Sequence, residues 1–243
     1  MTKRVCLSII VPAFNEEKRL PSTLTASIDY LKRQRYSYEI IVVNDGSVDD
    51  TSNVVNQFMN SFSKLYLIEY FPNKGKGEAV KQGMLEAKGD MCLFMDADGA
   101  VSIKFLENLL KKICEGYGVA VGSRALKGSK IIKGQNVVRS ILGKLYGVIT
   151  RLITGLKTKD TQCGFKLFTR EASDKIFSQL NCSHQLFDTE IFLIASKLNI
   201  NIAEVPVDWY HDGDSRLTYN FFSSLWVLKE LYLLKKRHIN YFL

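Results

Sequence analysis

Two carboxylates stand one residue apart in Asp96-Ala-Asp98, directly after the apolar run Cys92-Leu-Phe-Met95 and ahead of Gly99. Paired hard oxygens of this kind suit Mg²⁺ or Mn²⁺, ions that usually complete their shell with water and substrate phosphates, although an Asp-X-Asp turn taken alone is more often a solvated loop. Other groups able to do chemistry recur after apolar runs. Glu16 lies in Pro12-Ala-Phe-Asn-Glu-Glu17, Asp45 in Val43-Asn-Asp-Gly-Ser47, and Lys76 in Asn73-Lys-Gly-Lys-Gly77. The Asp45 carboxylate can accept from a base N–H or a ribose hydroxyl, although Asn-Asp-Gly-Ser also reads as a turn that caps a helix. Lys76, flanked by glycines ahead of a helix, combines a cation with backbone N–H groups, which suits an anion; a plain turn is the alternative. Arg124 follows the small residues Gly122 and Ser123, and its planar fork matches phosphate oxygens.

The elements that must carry these groups alternate. Apolar strand patterns at 7–11, 39–43, 65–70, 91–95 and 119–122 are separated by helical patterns at 20–35, about 50–62, 77–87 and 103–115. Pro21 suits a first helical turn, and Asp49 or Asp50 a cap. Such alternation predicts an α/β fold, a doubly wound, mostly parallel sheet with helices on both faces. Ligands of such sheets sit beyond the carboxyl ends of the strands, where these motifs fall. The second half is less regular: helices at 137–153, 170–179 and 188–198, strands at 165–169 and 202–209, and an apolar segment at 219–238 with a basic end.

The chain has 243 residues and a mean hydropathy of −0.04, which fits a globular domain with a sizeable core. Cys6, Cys92, Cys114, Cys163 and Cys182 show no CxxC spacing, so a reducing compartment and no zinc site are expected. Met1-Thr-Lys-Arg leads straight into a strand pattern, without a signal-peptide pattern. No uncharged run reaches about 18 residues, so no segment is expected to span a bilayer. The net charge of +8 is uneven, because residues 126–159 carry eight Lys and Arg and no acid. Lys127, Lys130, Lys133, Arg139, Lys144, Arg151, Lys157 and Lys159 thus point to an anionic partner, with a solvated face as the alternative.

The order of the motifs resembles the family 2 glycosyltransferases of the GT-A fold, over about residues 5–215. Val121-Gly-Ser-Arg124, Asp160-Thr-Gln-Cys-Gly-Phe-Lys-Leu-Phe168, Phe187-Asp-Thr-Glu190 and Val205-Pro-Val-Asp-Trp209 narrow the resemblance to polyprenyl-phosphate hexose transferases. Thr-Gln-Cys-Gly-Phe-Lys is most similar to the dolichyl-phosphate glucosyltransferases. The resemblance implies that Pro12, Glu16, Asp45, Lys76, Asp96 and Asp98 bind the nucleotide sugar, with Asp96 and Asp98 on a Mg²⁺ or Mn²⁺ ion. It implies catalytic roles for Asp160, Arg124 and Asp98, and acceptor binding by Arg124, Arg139, Gln162 and Lys166. A carboxylate near Asp188 or Glu190 is the general base in relatives that act on sugar hydroxyls. Ala100 replaces a third metal ligand, Gln, found in some mannose-transferring relatives. His184 and His211 are given no chemistry.

The implied reaction is inverting transfer of glucose from UDP-glucose to a polyprenyl or dolichyl phosphate, giving a β-linked product. A phosphate monoester, with its second pKa near ~6, is already a nucleophilic anion at neutral pH and needs little help from a base. Its approach to a diphosphate is the difficulty: two unit charges ~4 Å apart repel by ~4 kcal/mol at an effective dielectric of ~20. The acid-free basic block offsets that. GDP-mannose donors or sugar acceptors are the alternatives within the fold. A non-catalytic nucleotide or nucleic-acid binder is the remote one, since no aromatic RNA-binding pattern is present. Residues 1–123 would form the nucleotide-sugar half and 124–218 the acceptor half. The segment 219–243, like 137–153, would lie on an anionic membrane surface or close the core. The expected location is peripheral, on the cytoplasmic side of a membrane: endoplasmic reticulum in a eukaryote, plasma membrane in a prokaryote. The sequence leaves the oligomeric state open.

Overall fold

A computed structural model describes residues 5–132, 137–210 and 221–239; side chains at 137–144, 221–225 and 239 lie outside the description. The expectations for the Arg139 side chain, for His211 and for the ends of the tail segment fall outside the described residues.

The described residues form nine strands: β1 (Leu7–Ala13), β2 (Tyr38–Asp45), β3 (Leu65–Tyr70), β4 (Met91–Met95), β5 (Val119–Ser123), β6 (Ile131–Ile132), β7 (Phe165–Thr169), β8 (Ile202–Pro206) and β9 (Trp209–Tyr210). The helices are α1 (Leu20–Leu31), α2 (Thr51–Ser61), α3 (Lys76–Glu86), α4 (Leu106–Cys114), α5 (Val137–Thr154), α6 (Arg170–Phe177), α7 (Phe187–Lys197) and α8 (Phe221–Ile239). Seven strands make one sheet in the order β3-β2-β1-β4-β7-β5-β8. Every pairing is parallel except those of β7, which runs antiparallel to both β4 and β5. The mostly parallel expectation therefore holds, with one inverted strand at its centre.

Every residue of β1 and β2 is buried, as expected for strands covered on both faces. One core joins the sheet to α3, α6, α7 and α8, through residues such as Val80, Ile176, Ile191 and Leu231. The other joins it to α1, α2 and α4, through Leu24, Val55 and Leu109. The strand expected over 202–209 divides in two. Its first part, β8, pairs with β5, whereas Trp209–Tyr210 leaves to pair with β6. Pro206 ends β8 because proline has no N–H to give the ladder.

The C-terminal helix packs against the rest of the domain. Its buried residues Val227, Leu231, Leu234 and His238 form one stripe, three of them within the core shared with α7. No described helix is long and apolar enough to cross a membrane. All five cysteines are free.

Candidate active site

The strand-end motifs converge because β1, β2 and β4 run parallel and end at the same edge of the sheet. The β4 run terminates in the diacid turn. Thr23 Oγ1 of α1 donates to Ala97 O at 2.7 Å, fixing the turn from one side. Asp98 Oδ1 accepts from Ala100 N at 3.0 Å. Burial, and then the neighbouring Asp96 carboxylate, push the Asp98 carboxyl above its usual range. Two carboxylates held this close favour a cation between or beside them. Among the described residues no cluster of three or more His, Cys, Asp or Glu stands ready for a metal. With Ala100 buried in the third position, Asp96 and Asp98 are the protein's hard-oxygen set, which suits a Mg²⁺ or Mn²⁺ ion completed by phosphate and water.

Gly164 supports the diacid from the other side. The ladder between β4 and β7 ends at Met95↔Phe165, and one step on Asp96 N donates to Gly164 O at 3.0 Å. A Cβ at Gly164 would lie 2.1 Å from the Asp96 carboxyl carbon. The Cys163-Gly164-Phe165 string is thus what lets the start of β7 touch the Asp96-Ala-Asp98 turn. The steric need for Gly164 leaves no local pattern in the sequence, because it is set by a residue 68 positions away.

Lys76 is the first residue of α3, and its Nζ lies 2.7 Å from Asp96 Oδ1. Burial disfavours its charge, but Asp96, Asp188 and Asp98 outweigh that and hold the ammonium firmly protonated. The turn that presents it is pinned by Asp45. The Asp45 carboxylate accepts from Asn73 Nδ2 (2.8 Å), Lys74 N (2.8 Å) and Gly75 N (3.0 Å). Gly75 takes φ +98°, open to glycine without strain, and Gly77 N donates to Ser183 O at 2.8 Å. Asp45 is therefore the organiser of the lysine turn, a role with no local signal in Asn-Asp-Gly-Ser.

Pro12 is buried in β1. Glu16 forms a fork with Arg19, Nε to Oε2 at 2.7 Å and Nη2 to Oε1 at 2.5 Å, and its N–H donates to Thr51 Oγ1 at 2.8 Å. These contacts join the first loop to the start of α2.

Arg124, one residue past β5, meets Asp160 across 36 positions of sequence. Asp160 accepts from the Arg124 backbone N (2.9 Å), Nε (2.7 Å) and Nη2 (2.9 Å). Burial would raise the Asp160 carboxyl, but the Arg124 hydrogen bonds and charge prevail and hold it below the usual range. Trp209 covers the guanidinium, 5.4 Å from ring centroid to Cζ. Gln162, half-buried, donates its backbone N–H to Asp160 Oδ1 at 3.2 Å.

Lys166 does not fit the acceptor role the resemblance implied. It has no solvent exposure; its Nζ donates to Cys163 O at 2.8 Å and pairs with Asp188, beneath the Phe94 and Phe192 rings. Its place in an interior strand of the sheet, between β4 and β5, buries it. Asp188 and Glu190 are likewise displaced from the base role. Asp188 is spent on Lys166. Glu190 accepts from Cys182 N (2.6 Å), Asn181 N (3.0 Å) and His238 Nε2 (2.8 Å), locking α8 to the loop before α7.

Residues 8–177 match the glycosyl transferase family 2 profile. The dolichyl-phosphate beta-glucosyltransferase of Dictyostelium discoideum is 39% identical, covering 97% of this chain and 75% of the relative. The Homo sapiens enzyme of the same name is 36% identical, covering 96% and 76%. Glucosyl-3-phosphoglycerate synthase of Mycobacterium tuberculosis, solved with UDP, superposes with a TM-score of 0.68 at 17% identity, over 96% of this chain and 80% of that one. The same enzyme solved with Mn²⁺, UDP-glucose and phosphoglyceric acid gives 0.66 at 17% identity, over 96% and 79%. The profile match over most of the chain and relatives at 36–39% identity, with the superposed sheet, lead to one conclusion: the chain belongs to glycosyl transferase family 2 and has the GT-A fold.

Proposed function

We propose that this protein transfers glucose from UDP-glucose to a polyprenyl or dolichyl phosphate with inversion, forming a β-linked lipid phosphate sugar. One observation carries the reading. The diacid end of β4 and the Asp160–Lys166 segment meet at Asp96 and Gly164, and this contact supports reading them as the donor and acceptor sides of one site. The resemblance to dolichyl-phosphate beta-glucosyltransferases at 36–39% identity supports the choice of substrates.

Asp96 and Asp98 would hold the divalent ion, whose charge stabilises the leaving diphosphate. Lys76 stands beside them to meet a phosphate oxygen. Arg124, oriented by Asp160 and capped by Trp209, presents its guanidinium toward the acceptor segment. Because Arg124 keeps Asp160 ionised, Asp160 supports positive charge at the sugar carbon and does not exchange protons. With Asp188 and Glu190 both committed to internal partners, a phosphate acceptor that needs no general base fits the site better than a sugar hydroxyl.

A lipid acceptor also demands a membrane surface. Leu145, Val148 and Leu152 of α5, and Trp226, Leu228, Tyr232 and Leu233 of α8, are exposed. Lys229, Lys236 and Arg237 lie among the latter on exposed positions of α8. This apolar and basic face supports peripheral attachment to an anionic leaflet on the cytoplasmic side.

The test uses purified protein, Mg²⁺ or Mn²⁺, polyprenyl phosphate, and UDP-glucose or GDP-mannose. Acceptor-dependent UDP release from UDP-glucose, lost with chelator and in Asp98→Ala, is expected. Faster GDP release from GDP-mannose, or full activity of Asp98→Ala, overturns the donor or the metal assignment respectively.

A further inference from the structure

Lys76 sits where the proposed metal chemistry would place positive charge. Its ammonium is 2.7 Å from Asp96 Oδ1, inside ion-pair distance of one of only two carboxylates in the diacid. An ammonium there neutralises a ligand and repels a second cation, so Lys76 and a dication compete for Asp96.

The structure also supplies the means of exchange. The backbone around Lys76 is fixed on both sides, by Asp45 at Lys74 N and Gly75 N and by Ser183 O at Gly77 N. The ammonium end is tucked against Asp96 and over the Phe94 ring, while the side chain as a whole is the more exposed partner, 45% against 28% for Asp96. It rises from the first residue of an 11-residue helix, where backbone N–H groups also favour an anion. A diphosphate arriving at this edge would offer the ammonium a new partner of higher charge.

We propose that Lys76 is a placeholder cation: it holds Asp96 before the donor arrives, suppresses binding of a divalent ion alone, and yields Asp96 when a nucleoside diphosphate draws it away. Metal and nucleotide then load together, and by linkage each tightens the other. This rests on the metal–nucleotide reading of Asp96 and Asp98.

Mn²⁺ binding followed by the loss of the free-ion EPR signal tests it, without any turnover. The proteins are the full chain and its Lys76→Met, Lys76→Gln, Lys76→Arg and Asp98→Asn variants, each with Mn²⁺ alone and with Mn²⁺ plus UDP. Lys76→Met and Lys76→Gln should bind Mn²⁺ alone about tenfold more tightly than the native chain, and gain less from UDP. Lys76→Arg should behave as native, and Asp98→Asn should lose the tight site. Two neutral variants make the result independent of either one's folding. Unchanged or weaker Mn²⁺ affinity in both, with UDP-dependent uptake intact in the native chain, overturns the placeholder and leaves the metal reading standing. Absence of Mn²⁺ uptake in every protein, with or without UDP, overturns both.

Discussion

At Gly164 a methyl group would stand 2.1 Å from the Asp96 carboxyl carbon and Oδ2, which is overlap and not contact. Gly164→Ala should push Asp96 out of place while leaving both cores intact. Transfer activity should fall at least about 100-fold, the order of effect of a 1 Å misplacement, with a circular dichroism spectrum like the native one. Activity within a few-fold of native would contradict the wedge. Glu190 carries a pH prediction. Burial alone would raise its carboxyl, but the hydrogen bond from His238 and the N–H groups of Cys182 and Asn181 leave it below the ordinary value. A carboxyl lowered on folding contributes stability above its unfolded pKa, and that contribution disappears as pH falls through the folded value. Glu190→Gln should therefore melt several degrees lower than native at pH 7, with the gap closing below about pH 4. A gap that is constant from pH 7 to 3 would refute it. At this scale the sequence announced residue types better than partners. Asp96 and Asp98 stood out through their place after the Glu16, Asp45 and Lys76 loops, since two carboxylates in a turn are by themselves more often solvated. The pairs Lys76–Asp96, Arg124–Asp160 and Lys166–Asp188 did not stand out, since each is made by sheet order and leaves no local pattern.

At the scale of elements, periodicity gave β3, β4 and β7 with the bounds the structure shows, and α3, α5 and α7 to within a residue or so at each end. It overran α1, which stops at Leu31 although apolar and basic residues continue toward Arg35. It also missed the two-residue β6, too short to have a period. The inversion of β7 had no signature either, because a fully buried strand reads alike in both directions. For α8 the core-closing reading holds on one side, and the other side is exposed. The stripe Val227, Leu231, Leu234, His238 closes the core, while Tyr232 and Leu233 face outward. Leu231→Ala should cost about 3 kcal/mol and lower the melting temperature by about 6–12 °C in a domain of this size. Tyr232→Ser with Leu233→Ser should leave the melt nearly unchanged and weaken vesicle flotation. The reverse pattern would show that the outward face is the packed one.

For the whole molecule the charge distribution decides how the protein meets its surroundings. The net +8 equals the charge of residues 126–159, so the remainder is balanced. Attachment to a membrane through this block should be electrostatic at long range and apolar at contact. Flotation with phosphatidylserine vesicles should be strong at ~0.05 M salt and fall steeply by ~0.5 M, where the screening length shrinks to a few ångströms. Equal flotation with neutral vesicles would show that the basic block is not engaged.

The inverted β7 has a consequence in time as well as in space. Between β4 and β5, the sheet waits for residues that lie more than forty positions beyond β5 in the chain. As the polypeptide leaves the ribosome, β1 to β4 can align early, but β5 has no neighbour in the sheet until Phe165–Thr169 emerges. The diacid turn acquires its Gly164 wall at the same moment. A nascent chain therefore cannot close the Asp96–Gly164 contact before residues 160–169 have emerged, so the diacid turn and the segment that walls it are completed in a single event.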